Sequence, residues 1–380
     1  MVSKDAASVR VAWERKRELT DTLTAESPSP ETEVALKLRG DLHDLRSEQP
    51  LLRARDAAEK LGVSEAELVA CRCGEGVRRL AGPFGAIIKS FPSLGEVMVL
   101  TRNEHAVHEK VGTFAKISIF KSMGLVLDEA IDLRLFLDHW QSGYAVTENT
   151  RSGVRHSLQF FGSDGTAVHK VYLRDGSNRE AYEDLVAQNL DPHQGPGQAV
   201  ASLPARQPDR PDTEVDSTLL RKRWCELQDV HDFHAMLKDV GVGRTQAFRL
   251  VGEDYATRVG LETFKAALEA AAETATPIMI FAGNPGVIQI HTGPVERLKE
   301  LGPWFNVLDE GFNLHLRMDA IDTAWIIRKP TRDGIVTSLE IYDAAGAQIA
   351  WMFGKRKPGE LEREDWRRLV ASLETGGGAA

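Results

Sequence analysis

The sequence predicts an α+β protein made by internal duplication of an antiparallel β-sheet domain with flanking helices. Three observations carry that expectation. Short alternating segments bounded by turn residues run through residues 95–173 and resume at 286–342, without the regular strand–helix alternation a parallel sheet needs. Asp164-Gly165, between alternating runs at 157–161 and 168–173, is the strongest local hairpin signal. Finally, pieces of the first half recur in order in the second. Residues 95–101 line up with 286–292, 130–132 with 320–322, and 157–161 with 338–342. Asp164-Gly165 lines up with Ala345-Gly346, and a helix at 181–186 with one at 365–370. A period of roughly 190 residues is too long for a solenoid and indicates a duplicated domain.

In chain order, residues 1–48 read as a polar, variable extension, expected to be largely mobile. An extra helix is drawn over 1–24, and Pro28 and Pro30 mark a turn or flexible join. The first repeat spans 49–188 and opens with two short helices between 55 and 68; Ser64 with Glu67 is a capping box that starts the second. Their helix–turn–helix spacing resembles a DNA reader, but the second helix lacks the Arg, Asn and Gln that read base edges. The pair is therefore read as structural. Strands follow near 95–101, 114–119, 125–127, 132–137, 143–146, 157–161 and 168–173, and a helix over 179–188 closes the unit. Residues 189–216, with Pro192, Pro196, Pro204, Pro208 and Pro211, form a linker.

The second repeat, 217–375, opens with one helix over 224–237, stopped by Gly241 and Gly243. Leu220, Leu227, Val230, His234 and Leu237 recur at helical spacing and predict a buried stripe. His231 and His234, three apart, share a face, and such a pair suits a soft or borderline metal. Taken alone, the stretch fits a core histidine with a neighbour at the helix edge better. Helices at 244–250 and 260–272 precede the second set of strands. Differences between the copies locate chemistry: Arg134 and Phe136 stand against Ala324 and Ile326, and Lys329 against His139. Such asymmetry predicts one ligand site between the halves.

Composition narrows the function. The chain has 380 residues, 42% hydrophobic and 27% charged, with a formal net charge of -9. That length allows two domains with a sizeable core, and the negative charge argues against a general nucleic-acid binder. No apolar run is long enough to span a bilayer, and the first residues lack the apolar core of a secretory signal. Cys71, Cys73 and Cys225 cannot build a disulfide framework, which fits a reducing cytoplasm. Cys71-Arg72-Cys73 has no second ligand pair at zinc-like spacing and reads as structural thiols.

Four motifs carry a family resemblance: Gly95-Glu-Val-Met-Val-Leu-Thr-Arg-Asn103, Ala106-Val-His-Glu-Lys-Val-Gly112, Asp132-Leu-Arg-Leu-Phe-Leu-Asp-His-Trp140 and Asp229-Val-His-Asp-Phe-His234. Ile290-His-Thr-Gly-Pro294, Arg328-Lys-Pro-Thr331 and 334–339 continue it. Over roughly residues 50–375 the chain resembles the HemS-type hemin-degrading factors, cytoplasmic haem-trafficking proteins of bacterial haem uptake. The resemblance implies haem b in a cleft between the halves, with its iron on His231. It implies a distal Arg134, with Phe136 beside the ring. Arg244, Lys329 and Arg356 become propionate or pocket-flanking cations, and Phe281 a pocket aromatic. Trp351 and Phe353 replace a Gln and a Tyr of some members, which removes polar contacts. His234, present in some members, reads as a second ligand used when haem is handed on, or as packing.

The function so implied is sequestration of haem from an inner-membrane haem ABC transporter and delivery to a haem oxygenase. The alternative is a hemin-degrading enzyme in which Arg134 is catalytic and a reductase supplies electrons, since no dinucleotide-binding Gly-x-Gly-x-x-Gly follows a strand. A haem- or iron-responsive DNA-binding regulator is the weaker alternative.

Overall fold

The computed structural model describes residues 29–151, 153–204, 208–357 and 359–376. Residues 1–28, including the helix drawn over 1–24 and the turn at Pro28, lie outside the described residues. Residues 30–48, read above as part of a polar extension, form a helix. Helix α1 (Pro30–Glu48), capped by Ser29, packs Ala35 and Leu42 against α2 (Ala54–Leu61) and α3 (Glu65–Ala70). The Ser64–Glu67 capping box is present, with the Ser64 N–H donating to Glu67 Oε2 at 2.8 Å. Glu65, Ala66, Leu68, Val69 and Ala70 are all buried, so α3 has no free face to lay in a DNA groove. Burial pushes the Cys71 thiol up to about 11, in keeping with a structural thiol.

The first repeat continues with β1 (Val77–Leu80), α4 (Phe84–Lys89), β2 (Glu96–Arg102), β3 (Ala106–Thr113), β4 (Ile117–Phe120) and β5 (Met123–Leu127). It ends with β6 (Asp132–Phe136), β7 (Ser142–Thr150), β8 (Gly153–Phe161), β9 (Ala167–Leu173) and α5 (Arg179–Gln188). The linker carries one short 3-10 turn among its described residues and is pinned to β1, where Arg79 donates to the Gln198 side chain at 2.5 Å.

The second repeat contains α6 (Ser217–Cys225), α7 (Asp232–Val240), α8 (Arg244–Val251), β10 (Ala256–Val259), α9 (Thr263–Glu273), β11 (Ile278–Asn284) and β12 (Val287–Gly293). Then come β13 (Leu298–Leu301), β14 (Trp304–Leu308), β15 (Phe312–Arg317), β16 (Thr323–Thr331), β17 (Gly334–Tyr342), β18 (Gln348–Gly354) and α10 (Glu364–Gly376).

Two nine-stranded antiparallel sheets result, and each takes strands from both repeats. The first sheet runs β1-β7-β8-β9-β2-β3-β15-β14-β13, the second β10-β16-β17-β18-β11-β12-β6-β5-β4. Each repeat therefore lends a three-stranded meander to the other's sheet. The sheets meet at two equivalent turns. Asn103 donates to the carbonyl oxygens of Gly283 at 3.1 Å and Ile349 at 2.8 Å, and Asn284 to those of Arg102 at 2.9 Å and Val168 at 2.8 Å. Helices α9 and α10 cover one face of the second sheet over Ile278, Ile280, Ile326 and Leu339; α6, α7 and α8 cover part of the other over Trp325, Ile327 and Tyr342.

This topology corrects part of the repeat register. The shared asparagine turns make β2 the counterpart of β11, so residues 286–292, which form β12, correspond to β3 rather than to 95–101. In β6, Arg134 pairs with Ile288; in β15, His315 pairs with Val107, the counterpart of Ile288. The counterpart of Arg134 is thus His315, not Ala324. Thr150 and Thr331 donate to Gly153 and Gly334 carbonyls, each at 2.7 Å, which sets Lys329 against Glu148 rather than His139. Short alternating strands look alike, and a slip by one strand keeps the apolar pattern. The 157–161 to 338–342 correspondence fits both sheets, where β8 and β17 take the same place.

Candidate functional site

The expected single helix over 224–237 is broken. Helix α6 ends at Cys225 and α7 starts at Asp232, with His231 in its cap position. The break is chemical: Asp229 Oδ1 accepts the backbone N–H of His231 at 2.9 Å, the local bond by which Asp competes with a continuous helix. The buried residues are Leu220, Trp224 and Leu227 before the break and Phe233, Met236, Leu237 and Val240 after it. His234 is exposed, so it leaves the predicted stripe.

The turn is fastened to the second sheet. Trp224 Nε1 donates to the Arg328 carbonyl at 2.9 Å, and the Arg332 N–H donates to the Gln228 carbonyl at 3.1 Å. His231 is 81% exposed at its side chain, and its Nδ1 lies 2.5 Å from Asp229 Oδ1. Coordination of any ligand therefore falls to Nε2. His108, His169 and His291 are closed to a ligand by their burial, which pushes His169 and His291 down to about 3 and His108 well below its usual value.

Beside this turn lies a half-buried sheet face whose side chains follow from cross-strand register. Phe353 and Trp351 on β18 oppose Met279 and Phe281 on β11; Phe281 opposes Ile290 on β12, and Ile288 opposes Arg134 on β6. Phe281 stacks on Trp351 at 5.3 Å between centroids and meets Phe353 edge-on at 5.3 Å. Trp351 and Phe353, the departures from the family pattern, thus form an aromatic floor with Phe281. Phe136 lies on the same face opposite Met123. Because β6 belongs to the second sheet, residues of both repeats share this one surface.

The cations divide into two groups. From β18 to β6 is three strand spacings, ~14 Å, which places Arg134 and Phe136 beyond the aromatic floor from Lys329. The Arg134 guanidinium is paired with Asp132. Burial raises the Asp132 pKa although Arg134 opposes it. On the other side, Arg244 and Lys329 do not form an open rim. Both hold one fully buried carboxylate, Glu340: Arg244 Nη2 donates at 2.9 Å and Lys329 Nζ lies 3.0 Å away. Ser338, Tyr342 and Gln348 complete its shell at 2.8, 2.5 and 2.9 Å. Burial works to raise the Glu340 pKa, but Arg244 and Lys329 outweigh it and hold the carboxyl far below its usual range. Lys329 is lowered by burial, with Glu340 offsetting part of the effect, and its ammonium rests 4.5 Å from the Phe233 ring centroid. Arg356 differs. Its Nη2 is 3.7 Å from Asp333, and its buried Nε has no hydrogen-bond partner among the described residues.

The sequence reading missed Asp229 and Glu340 as functional positions. Asp229 lies within a motif named above, and Glu340 within the repeated segment 338–342. The signal for Glu340 is the alternation Ser338-Leu-Glu340-Ile-Tyr342, which places three polar groups on one buried face. Two cavities of about 870 and 480 Å³ contain none of the candidate residues. Among the described residues, no group of three or more His, Cys, Asp or Glu is placed to hold a bare metal ion. The arrangement offers one imidazole nitrogen, an aromatic platform and a spare guanidinium donor. That set suits a planar apolar group with its own metal and a carboxylate edge.

Comparison with known proteins agrees. A family model described as the haemin-degrading HemS.ChuX domain matches residues 62–189 and again 241–373. The hemin transport protein HmuS of Yersinia pestis is 41% identical over 329 residues, covering 86% of this chain and 94% of that protein. A crystal structure of holo-PhuS, a heme-binding protein from Pseudomonas aeruginosa, is 46% identical with a TM-score of 0.88, covering 89% of this chain and 99% of that one. The structure of ChuS, an E. coli heme oxygenase, is 37% identical with a TM-score of 0.80, covering 88% and 99%.

Proposed function

The chain belongs to the haemin-degrading HemS.ChuX family, and from that premise we propose that it binds one haem b on the open face of its second sheet and carries it. The observation behind this reading is His231, exposed on a turn stapled beside the Phe281–Trp351–Phe353 floor, with Nδ1 occupied and Nε2 left for iron. Haem supplies redox-active iron; the chain supplies a nitrogen ligand, apolar cover and charge. Arg134 and Phe136 lie on the far side of the floor and His234 beside the ligand turn, each in reach of a cargo that spans the face.

The first repeat offers no equivalent. Its helix α2 has Arg53 at the cap position where α7 has His231. In the register of the sheets Lys170 stands where the second has Trp351, and it pairs with Glu65 at 2.8 Å. A charged pair there replaces an aromatic stack, which supports a stoichiometry of one.

In this reading the cargo arrives from an inner-membrane haem ABC transporter and leaves to a haem oxygenase. A cytoplasmic setting goes with that transfer route. No helix among the described residues is long and apolar enough to cross a membrane. The similarity to ChuS, an E. coli heme oxygenase, favours a second reading, in which Arg134 takes part in ring opening. Hemin-loaded protein supplied with a reductase, oxygen and catalase separates the two. Intact haem that passes to an added oxygenase is the expected result; a single biliverdin isomer with released iron, lost in Arg134→Ala, establishes the enzyme.

In this reading Arg356 meets a haem carboxylate, which its buried Nε, without a partner among the described residues, supports. A charge-assisted bond contributes about 1.5–3 kcal/mol, so Arg356→Ala should weaken haem binding roughly tenfold or more at about 1.4 kcal/mol per decade. Haem dimethyl ester should bind wild type and variant alike in an absorbance titration. Equal loss for the ester would remove the assignment.

A further inference from the structure

We propose that Asp229 is a positioning residue that fixes the tautomer of His231 and makes the site favour ferric over ferrous haem. This rests on the reading of His231 as the iron ligand. Asp229 makes two bonds to one residue through the same oxygen: its Oδ1 accepts the His231 backbone N–H at 2.9 Å and lies 2.5 Å from His231 Nδ1. A carboxylate at that distance requires a proton on Nδ1, which puts the lone pair on Nε2, the ring nitrogen not engaged by Asp229. The geometry is preorganised rather than fortuitous. The next carbonyl upstream, that of Gln228, is held by the Arg332 N–H at 3.1 Å, and Trp224 anchors the preceding helix to Arg328 at 2.9 Å. The turn is thus anchored on its upstream side, and the contact of Nδ1 with Asp229 Oδ1 limits rotation of the His231 ring.

The electronic consequence follows from charge. A short bond to an anionic acceptor pulls the Nδ1 proton toward oxygen and leaves the ring more electron-rich, so Nε2 is a stronger donor. A stronger anionic-type donor stabilises the higher iron charge more than the lower one. By linkage, the ferric form is then held more tightly than the ferrous form, and one-electron reduction loosens the hold. A carrier with this property retains oxidised haem and yields it more readily when its iron is reduced.

Asp229→Asn is the discriminating variant because the amide oxygen still accepts the backbone N–H and keeps the turn, while the charge is gone. Hemin and dithionite-reduced haem are titrated anaerobically into wild type, Asp229→Asn, Asp229→Glu and His231→Ala. Resonance Raman of the ferrous forms reads the iron–histidine stretch. In Asp229→Asn the ratio of ferrous to ferric dissociation constants should fall about tenfold, equivalent to a potential rise of about 59 mV for one electron. The iron–histidine stretch should drop in the same variant, and Asp229→Glu should recover part of both. A ratio and a stretch unchanged in Asp229→Asn, with His231→Ala still losing the histidine signal, overturn the inference and leave the proposed function standing. If His231→Ala keeps the wild-type spectrum, the ligand assignment itself fails, and the inference falls with it.

Discussion

His231→Ala should lower hemin affinity on the order of a hundred-fold, about 2.8 kcal/mol at 1.4 kcal/mol per decade, and shift the Soret band. The size of the effect follows from where the residue sits. Its side chain is 81% exposed on a turn, so removing the imidazole leaves no cavity and breaks no packing. Stability in urea should stay at the wild-type value, which makes this a clean binding variant. His234 lies three residues on, also exposed, and can offer a substitute nitrogen after a small change at the start of α7. The double variant should therefore lose more than His231→Ala alone. Wild-type affinity and spectrum in both would exclude the turn as the binding site.

The second large effect is on the fold. Glu340 is fully buried and takes charge from both Arg244 and Lys329. Glu340→Gln leaves two cations without their counter-charge, and breaking a buried pair in this way costs about 3–5 kcal/mol. The direction with pH is fixed by the carboxyl's depressed folded-state pKa. Its contribution is fully present above the unfolded pKa of about 4.3 and fades as pH falls toward the folded value. Urea unfolding should thus show the wild type losing more stability between pH 6 and the acid range than Glu340→Gln does. Lys329 acts oppositely: burial lowers its pKa, so its charged form is costly at neutral pH, and Glu340 offsets that cost. An unchanged unfolding midpoint in Glu340→Gln at pH 7 would show that the network is not structural.

Arg244 and Lys329 show why a site is harder to read than a fold. Basic residues were visible in the sequence, and their chemistry suits carboxylates. What the sequence could not display was the competing carboxylate, 96 positions from Arg244 in the chain and directly against it in space. The same holds for Arg356, whose spare donor is a property of packing. By contrast, β2, whose burial alternates along the strand, the hairpin at Asp164-Gly165 and the Ser64–Glu67 box were legible because their signals are local. The helix through His231 was misread for a reason also present locally: Asp229 two residues before His231 is a turn former, and the apolar spacing across it was accidental. Duplication was legible, but the exchange of β4–β6 for β13–β15 between sheets was not, because the partners that join β15 to β3 lie more than two hundred residues apart. That exchange is what brings Arg134 onto the face beside Phe281.

One measurement addresses the haem assignment directly. Crystals of the hemin-loaded protein, with anomalous differences collected at the iron edge, locate the metal without reference to any side chain. A single iron peak per chain within coordinating distance of His231 Nε2, over the Phe281–Trp351–Phe353 floor, is the expected result. An iron peak on the first sheet beside Lys170 and His315, or one bound away from His231, contradicts it.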